Sequence, residues 1–131
     1  MTTDDKGDLG EIIVMAEASR KGYIPLIPIS EKKRYDFVLE KNGKFIRVQV
    51  KYSEMKDGKI RVNLYHNAGK ENKTKTYTDD EIDAIVVFNK ETNKCYFISS
   101  AFFKGRHKLE LRVDKPKRKS KKINWAKDFE W

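Results

Sequence analysis

Apolar residues recur at helical spacing near the start of the chain. Asp8 stands in an N-cap position with Glu11 three residues later, which is the spacing of a capping box. Lys21 and Gly22 supply a basic last turn and a glycine for the C-terminal end. The pattern predicts a helix from Asp8 to Lys21, and its apolar stripe at i, i+3, i+4 and i+7 is formed by Leu9, Ile12, Ile13 and Ala16.

Alternating apolar and polar residues in the middle of the chain predict β-strands. Residues 35–41 and 44–56 are joined by Asn42-Gly43, the dipeptide of a type I′ hairpin turn. Asp57-Gly58 is a second hairpin signal, and it leads into a third strand over residues 59–66. We expect these three strands to form an antiparallel meander.

Shorter segments complete the predicted sheet. Residues 82–88 are apolar on both faces, as in a strand that is covered on both sides. Residues 23–29 are extended, and their prolines confine them to a sheet edge or an irregular strand. We expect a polar loop over 67–81 that is mobile over 69–75. Further strands are expected over 95–99 and 109–113, with a helical turn over 101–104. Residues 123–131 are expected to dock on the domain. The chain is thus predicted to be one α/β (α+β) domain over residues 1–131, with a mixed central β-sheet and flanking helices.

Composition limits the chemistry that the chain can carry. It has 131 residues, of which 38% are hydrophobic and 37% charged, and it lacks an apolar run long enough for a membrane span or a signal peptide. Its one cysteine, Cys95, excludes an internal disulfide and a cysteine-based zinc cluster. We therefore expect an intracellular, cytoplasmic domain that does not contact membranes.

The net charge of +9 favours a polyanionic partner such as a nucleic acid. Six basic residues and no acid lie within residues 115–122, and the rest of the chain is only weakly basic. This basic segment fits a nucleic-acid contact and fits a solvated linker equally well.

Polar side chains around the predicted hairpin carry the most specific chemical signal. On the strand over 44–52, Gln49 and Lys51 share one face, about 7 Å apart along the strand. Asp36 and Gln49 lie equally far from the turn, so the register places them opposite each other. Glu11 lies on an apolar flank of the helix, where a lone carboxylate is costly to bury, and a divalent cation shared with Asp36 removes that cost.

Hard oxygen ligands favour Mg²⁺, with Mn²⁺ as a substitute, and the backbone carbonyl of Val50 is available as a further ligand. Two simpler interpretations remain open. The hairpin side chains fit the solvent-facing side of a sheet, and Glu11 fits a cap on the first helical turn.

The order of these motifs resembles the PD-(D/E)xK nuclease superfamily. More narrowly it resembles the branch with Q-V-K in place of E-x-K, which includes intron-encoded homing endonucleases; archaeal-type Holliday junction resolvases share the core. Tyr35 stands where the superfamily has proline, and Gln49 replaces an acid. The matching residues are Gly7-Asp8-Leu9-Gly10-Glu11, Tyr35-Asp36-Phe37-Val38, Gln49-Val50-Lys51, Tyr77, Asp83, Tyr96-Phe97-Ile98 and Ile123-Asn124-Trp125.

The resemblance implies a restriction-endonuclease-like core and Mg²⁺-dependent hydrolysis of DNA, duplex or branched. It implies Glu11, Asp36, Gln49 and Lys51 as catalytic residues, with the first three and Val50 as ligands of one tightly bound ion. Asp83 is expected to make a structural hydrogen bond. The residues that we expect to contact phosphates are Arg34, Arg47, Lys56, Lys117, Arg118 and Lys119, although ordinary surface charge explains several of them as well.

One such site cuts one strand, so we expect a homodimer or a homotetramer. Phe102-Phe103 and residues 125–131 are the predicted interface. A homing-type endonuclease and a Holliday junction resolvase both fit the motifs, and the alternative from another class is a non-catalytic nucleic-acid-binding module on the same fold.

Overall fold

A five-stranded mixed β-sheet forms the centre of the protein. The computed structural model describes residues 1–68, 73–118 and 122–131. The strands of this sheet are β1 (Ile24–Leu26), β2 (Phe37–Lys41), β3 (Lys44–Ser53), β8 (Ala84–Asn89) and β9 (Lys94–Ser99). Their order is β1-β2-β3-β8-β9, in which β3 and β8 are parallel and the other neighbours are antiparallel. The predicted mixed sheet is confirmed.

One long helix, α1 (Thr3–Arg20), packs on this sheet. The predicted N-cap at Asp8 is wrong, because Thr2 caps the helix. The Thr2 hydroxyl accepts from the backbone N–H of Asp5, and the Asp5 carboxylate accepts from that of Thr2, both at 3.0 Å. The earlier start places Glu11 in the middle of the helix, which excludes a capping role for it.

The predicted hairpin is confirmed. Asn42 and Gly43 have φ angles of 54° and 77°, the left-handed values that a type I′ turn requires at both positions. Phe37 pairs with Val48, so the register places the preceding residue, Asp36, beside Gln49 as expected. Strand β1 pairs with β2 at the sheet edge, as its proline content requires.

The third strand leaves the sheet, and the predicted meander is wrong. Strands β4 (Met55–Lys56), β5 (Lys59–Asn63) and β10 (Lys108–Arg112) form a separate three-stranded sheet in the order β10-β5-β4. The place beside β3 is taken by β8, all of whose residues are buried. Because β8 is apolar on both faces it belongs at the centre of a sheet, whereas β5 has one apolar face and covers another layer.

Two apolar cores lie on the two faces of the central sheet. Between α1 and the sheet, Val14 and Ala18 pack against Val48 and Val50. The core on the opposite face joins the second sheet to the central one, and it includes Ile60, Val62, Ile85, Val87, Leu109 and Leu111. The described part of the chain thus has three layers, a helix and two sheets.

The C-terminal residues pack on this framework. The Trp131 ring lies with its centroid 6.0 Å from that of Tyr23 and 5.9 Å from that of Phe97. In the short helix α2 (Ser100–Phe103), Phe103 is fully buried, and Phe102 packs on Phe129 of a 3₁₀ turn over Ala126–Phe129. Phe103 is therefore not available for an interface, whereas Phe102, Phe129 and Trp131 are half-buried and their predicted part in an interface stays a prediction.

The predicted polar loop contains a short ladder, in which β6 (Tyr65–Asn67) pairs with β7 (Thr74–Thr76). The predicted mobile stretch over 69–75 lies partly outside the described residues. In the part of the chain that the structure describes, no helix is long and apolar enough to cross a membrane.

Candidate active site

The predicted site residues meet at one end of the hairpin. Helix α1 contributes Glu11, the residue before β2 is Asp36, and β3 contributes Gln49 and Val50. With the first turns of α1 they line an open depression of about 300 Å³. The structure therefore brings together all four residues that were predicted to hold a metal ion.

Asp36 is fixed to the hairpin by its backbone and by its side chain. Its N–H donates to the Val48 carbonyl at 2.8 Å, and its Oδ2 accepts from the Val50 N–H at 2.7 Å. Asp36 lies just before β2 begins, and its carboxylate takes the place of a backbone carbonyl as the acceptor for the Val50 N–H. This bond holds one oxygen in place and leaves the second for other partners.

Glu11 reaches the same place because α1 packs closely on β3. The preceding residue, Gly10, faces the strand, and a Cβ added to it would lie 3.5 Å from Tyr52 Cβ and from Val50 Cγ1. A methyl group fits at that distance, but a larger side chain would displace these neighbours. The small residue therefore keeps the helix near the strand and Glu11 near Asp36.

The carboxyl groups of Glu11 and Asp36 both have raised pKa values, and burial is the main cause in each. Burial raises the pKa of Glu11 to about 7, and the charge of Asp36, a hydrogen bond with it and the charge of Asp8 act in the same direction. The pKa of Asp36 is also raised, because burial outweighs its hydrogen bonds with Val50 and Glu11 and the charge of Lys51. Such a pair resists carrying two negative charges unless a proton or a cation lies between them.

Neutral oxygen donors complete the site. The Gln49 side-chain amide lies beside the Val50 carbonyl, with Nε2 donating to it at 3.3 Å. The amide nitrogen and oxygen exchange places by a simple flip, so the same side chain can present an acceptor or a donor here. In residues 1–68, 73–118 and 122–131 no group of three or more His, Cys, Asp or Glu side chains could hold a metal ion, so a cation here would rely on two carboxylates and these neutral oxygens.

Lys51 is held by Tyr77, a residue for which no role was predicted. Its Nζ donates to the Tyr77 hydroxyl at 3.0 Å and lies 5.0 Å from the centroid of that ring. Tyr77 is buried and is itself anchored by its N–H, which donates to the Leu64 carbonyl at 3.1 Å. The only sequence signal for Tyr77 was its place in the family resemblance, because it lies 26 residues from Lys51 along the chain.

Arg34 and Arg47 both have carboxylate partners in the protein. Arg47 binds both carboxylate oxygens of Asp83 and the backbone carbonyls of Asp79 and Asp80. Asp83 also accepts from the Arg47 backbone N–H at 2.8 Å, which confirms its predicted structural role. The Nε atom of Arg34 lies 3.6 Å from Oε2 of Glu81.

The other predicted phosphate contacts lie on the surface. Lys56, Lys117 and Arg118 are exposed, and Lys119 lies outside the described residues. None of the three lines the depression around Glu11 and Asp36. Contacts between these side chains and DNA stay predictions.

Comparison with known proteins supports a nuclease fold. A family model described as PD-(D/E)XK endonuclease matches residues 1–131. The structure is similar to that of a bacterial homing endonuclease, I-Ssp6803I, with a TM-score of 0.80 and 24% sequence identity, over 99% of this chain and 89% of the other. At this identity the likeness concerns the fold, and it supports the restriction-endonuclease-like arrangement of the sheet and helix. No curated protein sequence matches the chain significantly.

Proposed function

Because the chain belongs to the PD-(D/E)XK endonuclease family, it is a nuclease, and we propose that it hydrolyses phosphodiester bonds in DNA with the help of Mg²⁺. The observation that carries this proposal is the meeting of Glu11, Asp36, Gln49 and the Val50 carbonyl in one open depression. Lys51 lies close enough for its charge to act on Asp36. These are the residue types that metal-assisted phosphodiester hydrolysis requires.

The donor set fits a hard divalent cation such as Mg²⁺ or Mn²⁺. It offers two carboxylates, a side-chain amide and a backbone carbonyl, which are all oxygen ligands of the kind that these ions prefer. Two adjacent carboxylates with little else to neutralise them also favour a cation at this place. Because Gln49 is neutral where the family has an acid, we propose one tightly bound ion.

Each side chain has a role that follows from its position. Asp36, fixed by the Val50 N–H, and Glu11, held near it by the packing of α1, would hold the ion against the scissile phosphate. A bound Mg²⁺ supplies Lewis-acid stabilisation of the phosphate and lowers the pKa of a bound water. The Lys51 ammonium, anchored by Tyr77, would orient the attacking water and stabilise the negative charge that develops on the phosphate.

Phosphate contacts around the site are part of the same proposal. The guanidinium groups of Arg34 and Arg47 would either contact DNA phosphates while they keep their carboxylate partners, or release these carboxylates and bind the phosphates instead. Three exposed cations further from the site, Lys56, Lys117 and Arg118, would contact the backbone without reading sequence. From the sequence we expect the same of Lys119.

Incubation with three DNA substrates tests the proposed function. We expect the protein to cut supercoiled plasmid, linear duplex or a four-way junction with Mg²⁺, and to cut none of them with EDTA. The choice of substrate distinguishes a homing-type enzyme, which would cut duplex at a defined site, from a Holliday junction resolvase. Binding of DNA without cleavage of any substrate in Mg²⁺ or Mn²⁺ would instead identify a non-catalytic module.

Replacing Tyr77 with phenylalanine is expected to slow cleavage several-fold and to leave DNA affinity unchanged. The substitution keeps the ring that Lys51 packs on and removes only the hydroxyl that fixes its ammonium. The measurement compares the single-turnover cleavage rate with the DNA dissociation constant, and a thermal melt serves as the control for folding. A wild-type cleavage rate in this variant would show that the hydroxyl does not position Lys51.

We also propose that two or four copies assemble, since cutting both strands requires more than one site. Ile24 and Phe45 are 58% and 61% exposed, and both pair across their strands with Glu40, which places them on one sheet face. Such an apolar surface favours contact with a second copy. We expect a dimer or tetramer by light scattering at micromolar concentration, shifted towards monomer by Phe45→Ser but not by Ile12→Ser, a change at an equally exposed position on α1. A wild-type monomer, with and without DNA, would contradict this assembly.

A further inference from the structure

The second sheet has an outward face that the proposed chemistry does not use. Its strands alternate strictly, so that Ile60 and Val62 of β5 and Leu109 and Leu111 of β10 turn into the core. The residues between them point away from the core. On the two paired strands these outward residues are Lys59, Arg61, Asn63, Lys108, Glu110 and Arg112.

Neighbouring segments add more positive charge to this face. Three surface depressions adjoin the sheet, and all three are lined by Lys59. Together they are lined by four acidic residues and by ten basic ones, which come from two separate parts of the sequence, 56–61 and 106–122. We call these ten the basic face: Lys56, Lys59, Arg61, Arg106, Lys108, Arg112, Lys115, Lys117, Arg118 and Lys122.

The four acidic residues offset fewer than half of the ten positive charges. Glu110 pairs with Lys59 at 2.8 Å and with Arg61 at 3.8 Å, so one carboxylate serves two cations. Glu54 pairs at 2.6 Å with Lys6, which belongs to α1 and not to the basic face. Since the whole chain carries a net charge of +9, most of its excess positive charge lies here.

We propose that the basic face binds the phosphate backbone of duplex DNA, without reading sequence, at a place separate from the cleavage site. This inference rests on the proposed nuclease function, which supplies DNA as the polyanion. Strands of five residues span about 17 Å, roughly half a helical turn of B-DNA, so one duplex can contact the length of the sheet.

A membrane surface is the other common polyanion, and the composition of the face disfavours it. Helices and sheets that bind at a membrane interface combine cations with exposed aromatic or aliphatic side chains. The exposed large apolar residues of the described chain all lie elsewhere: Met1, Ile12, Ile24, Leu26, Ile27, Ile29 and Phe45.

The basic face is also separate from the chemistry. None of its ten residues lines the depression that holds Glu11 and Asp36. Neutralising part of it should therefore weaken DNA binding and leave the rate of the bound complex unchanged.

The test compares two matched double variants. Arg61→Gln with Lys108→Gln removes two exposed charges from the basic face, and Arg20→Gln with Lys44→Gln removes two exposed charges elsewhere. Binding to a short duplex of arbitrary sequence is measured over a range of salt concentrations in EDTA, which prevents cleavage. We expect the first variant to lower the slope of log affinity against log salt by about two and to weaken binding at least tenfold at ~0.1 M salt. The control should do neither.

A second double variant tests the same proposal without changing any residue of the sheet. Lys117→Gln with Arg118→Gln lies beyond the end of β10, so it leaves the strands intact, and we expect the same change in salt slope. A slope equal to that of the control in both variants would overturn the proposal. Binding to anionic lipid vesicles that is as tight as binding to DNA would also overturn it.

Failure of this inference and failure of the nuclease proposal give different results. If the wild type cuts DNA and the variants bind like the control, the basic face is not a DNA contact and the nuclease stands. If the variants lose affinity but the wild type never cuts, the basic face stands as a DNA contact and the catalytic proposal fails.

Discussion

Replacing Asp36 with asparagine is expected to abolish metal-dependent cleavage of DNA while the protein remains folded. The amide keeps an oxygen that can accept from the Val50 N–H, the bond of 2.7 Å that ties this side chain to β3. It removes the negative charge that we assign to the bound ion. We expect asparagine to be a cleaner test than alanine, because alanine would also leave the buried Val50 N–H without its acceptor.

Metal binding can be followed without cleavage in the same variant. A ligand that binds only the folded state raises the free energy of unfolding, by about 2.7 kcal/mol at a concentration of 100 times Kd, and the melting temperature rises with it. We expect Mg²⁺ or Mn²⁺ to raise the melting temperature of the wild type and not that of Asp36→Asn. Asp128→Asn, at an exposed carboxylate on the 3₁₀ turn, is the matched control and should behave like the wild type. Wild-type cleavage by Asp36→Asn would place the metal site elsewhere.

The part of the site that lies on the hairpin was predictable because its determinants are local. Asn42-Gly43 specifies a type I′ turn, and a two-residue turn fixes the register of the strands that it joins. That register alone places Asp36 beside Gln49, with Lys51 one repeat further along the same face. No contact between distant parts of the chain was needed for this step.

The start of α1 shows how two equivalent local signals mislead. Thr2 with Asp5 and Asp8 with Glu11 both have the spacing of a capping box, and apolar periodicity begins only after the second. The first box forms, which lengthens the helix into a polar region that periodicity does not mark. This earlier start matters for the site, because Glu11 then lies in the middle of the helix and not at its N-terminal end.

Long-range pairing was beyond the reach of the pattern. The Asp57-Gly58 turn forms as predicted, with φ angles of 54° and 74°, yet its two strands belong to another sheet. The strand beside β3 is β8, in which every residue is buried and all but Asn89 are apolar, whereas β5 alternates between buried and exposed residues. A strand that is apolar on both faces is favoured at the centre of a sheet. The same rearrangement brings the cations of residues 56–61 and 106–112 beside those of the basic segment, and together they form the basic face.

The partners of the charged residues were also set by tertiary structure. Arg47 looked like a surface cation on the face of β3, but residues 79–83 approach it and supply two backbone carbonyls and the Asp83 carboxylate. In a similar way Tyr77 approaches Lys51. A single sequence gives the positions of such side chains on a strand and does not give what packs against them.

Replacing Lys51 with methionine is expected to slow cleavage by two or more orders of magnitude, roughly the effect of removing one group that stabilises a transition state. Methionine keeps a long apolar side chain against the Tyr77 ring and removes only the ammonium, whose hydrogen bond to the Tyr77 hydroxyl is 3.0 Å long. Lys51 is one of many positive charges that would contact the DNA backbone, so DNA affinity should fall only modestly when it is removed.

Lys44→Met is the matched control for this change, since Lys44 begins the same strand and is exposed far from the depression. The measurement is the single-turnover rate at saturating protein, with Mg²⁺, for the wild type and both variants, and thermal melts confirm that each is folded. We expect Lys44→Met to cut at the wild-type rate. If Lys51→Met also does so, the ammonium takes no part in the chemical step, and the assignment of catalysis to this end of the hairpin loses its main support besides Asp36.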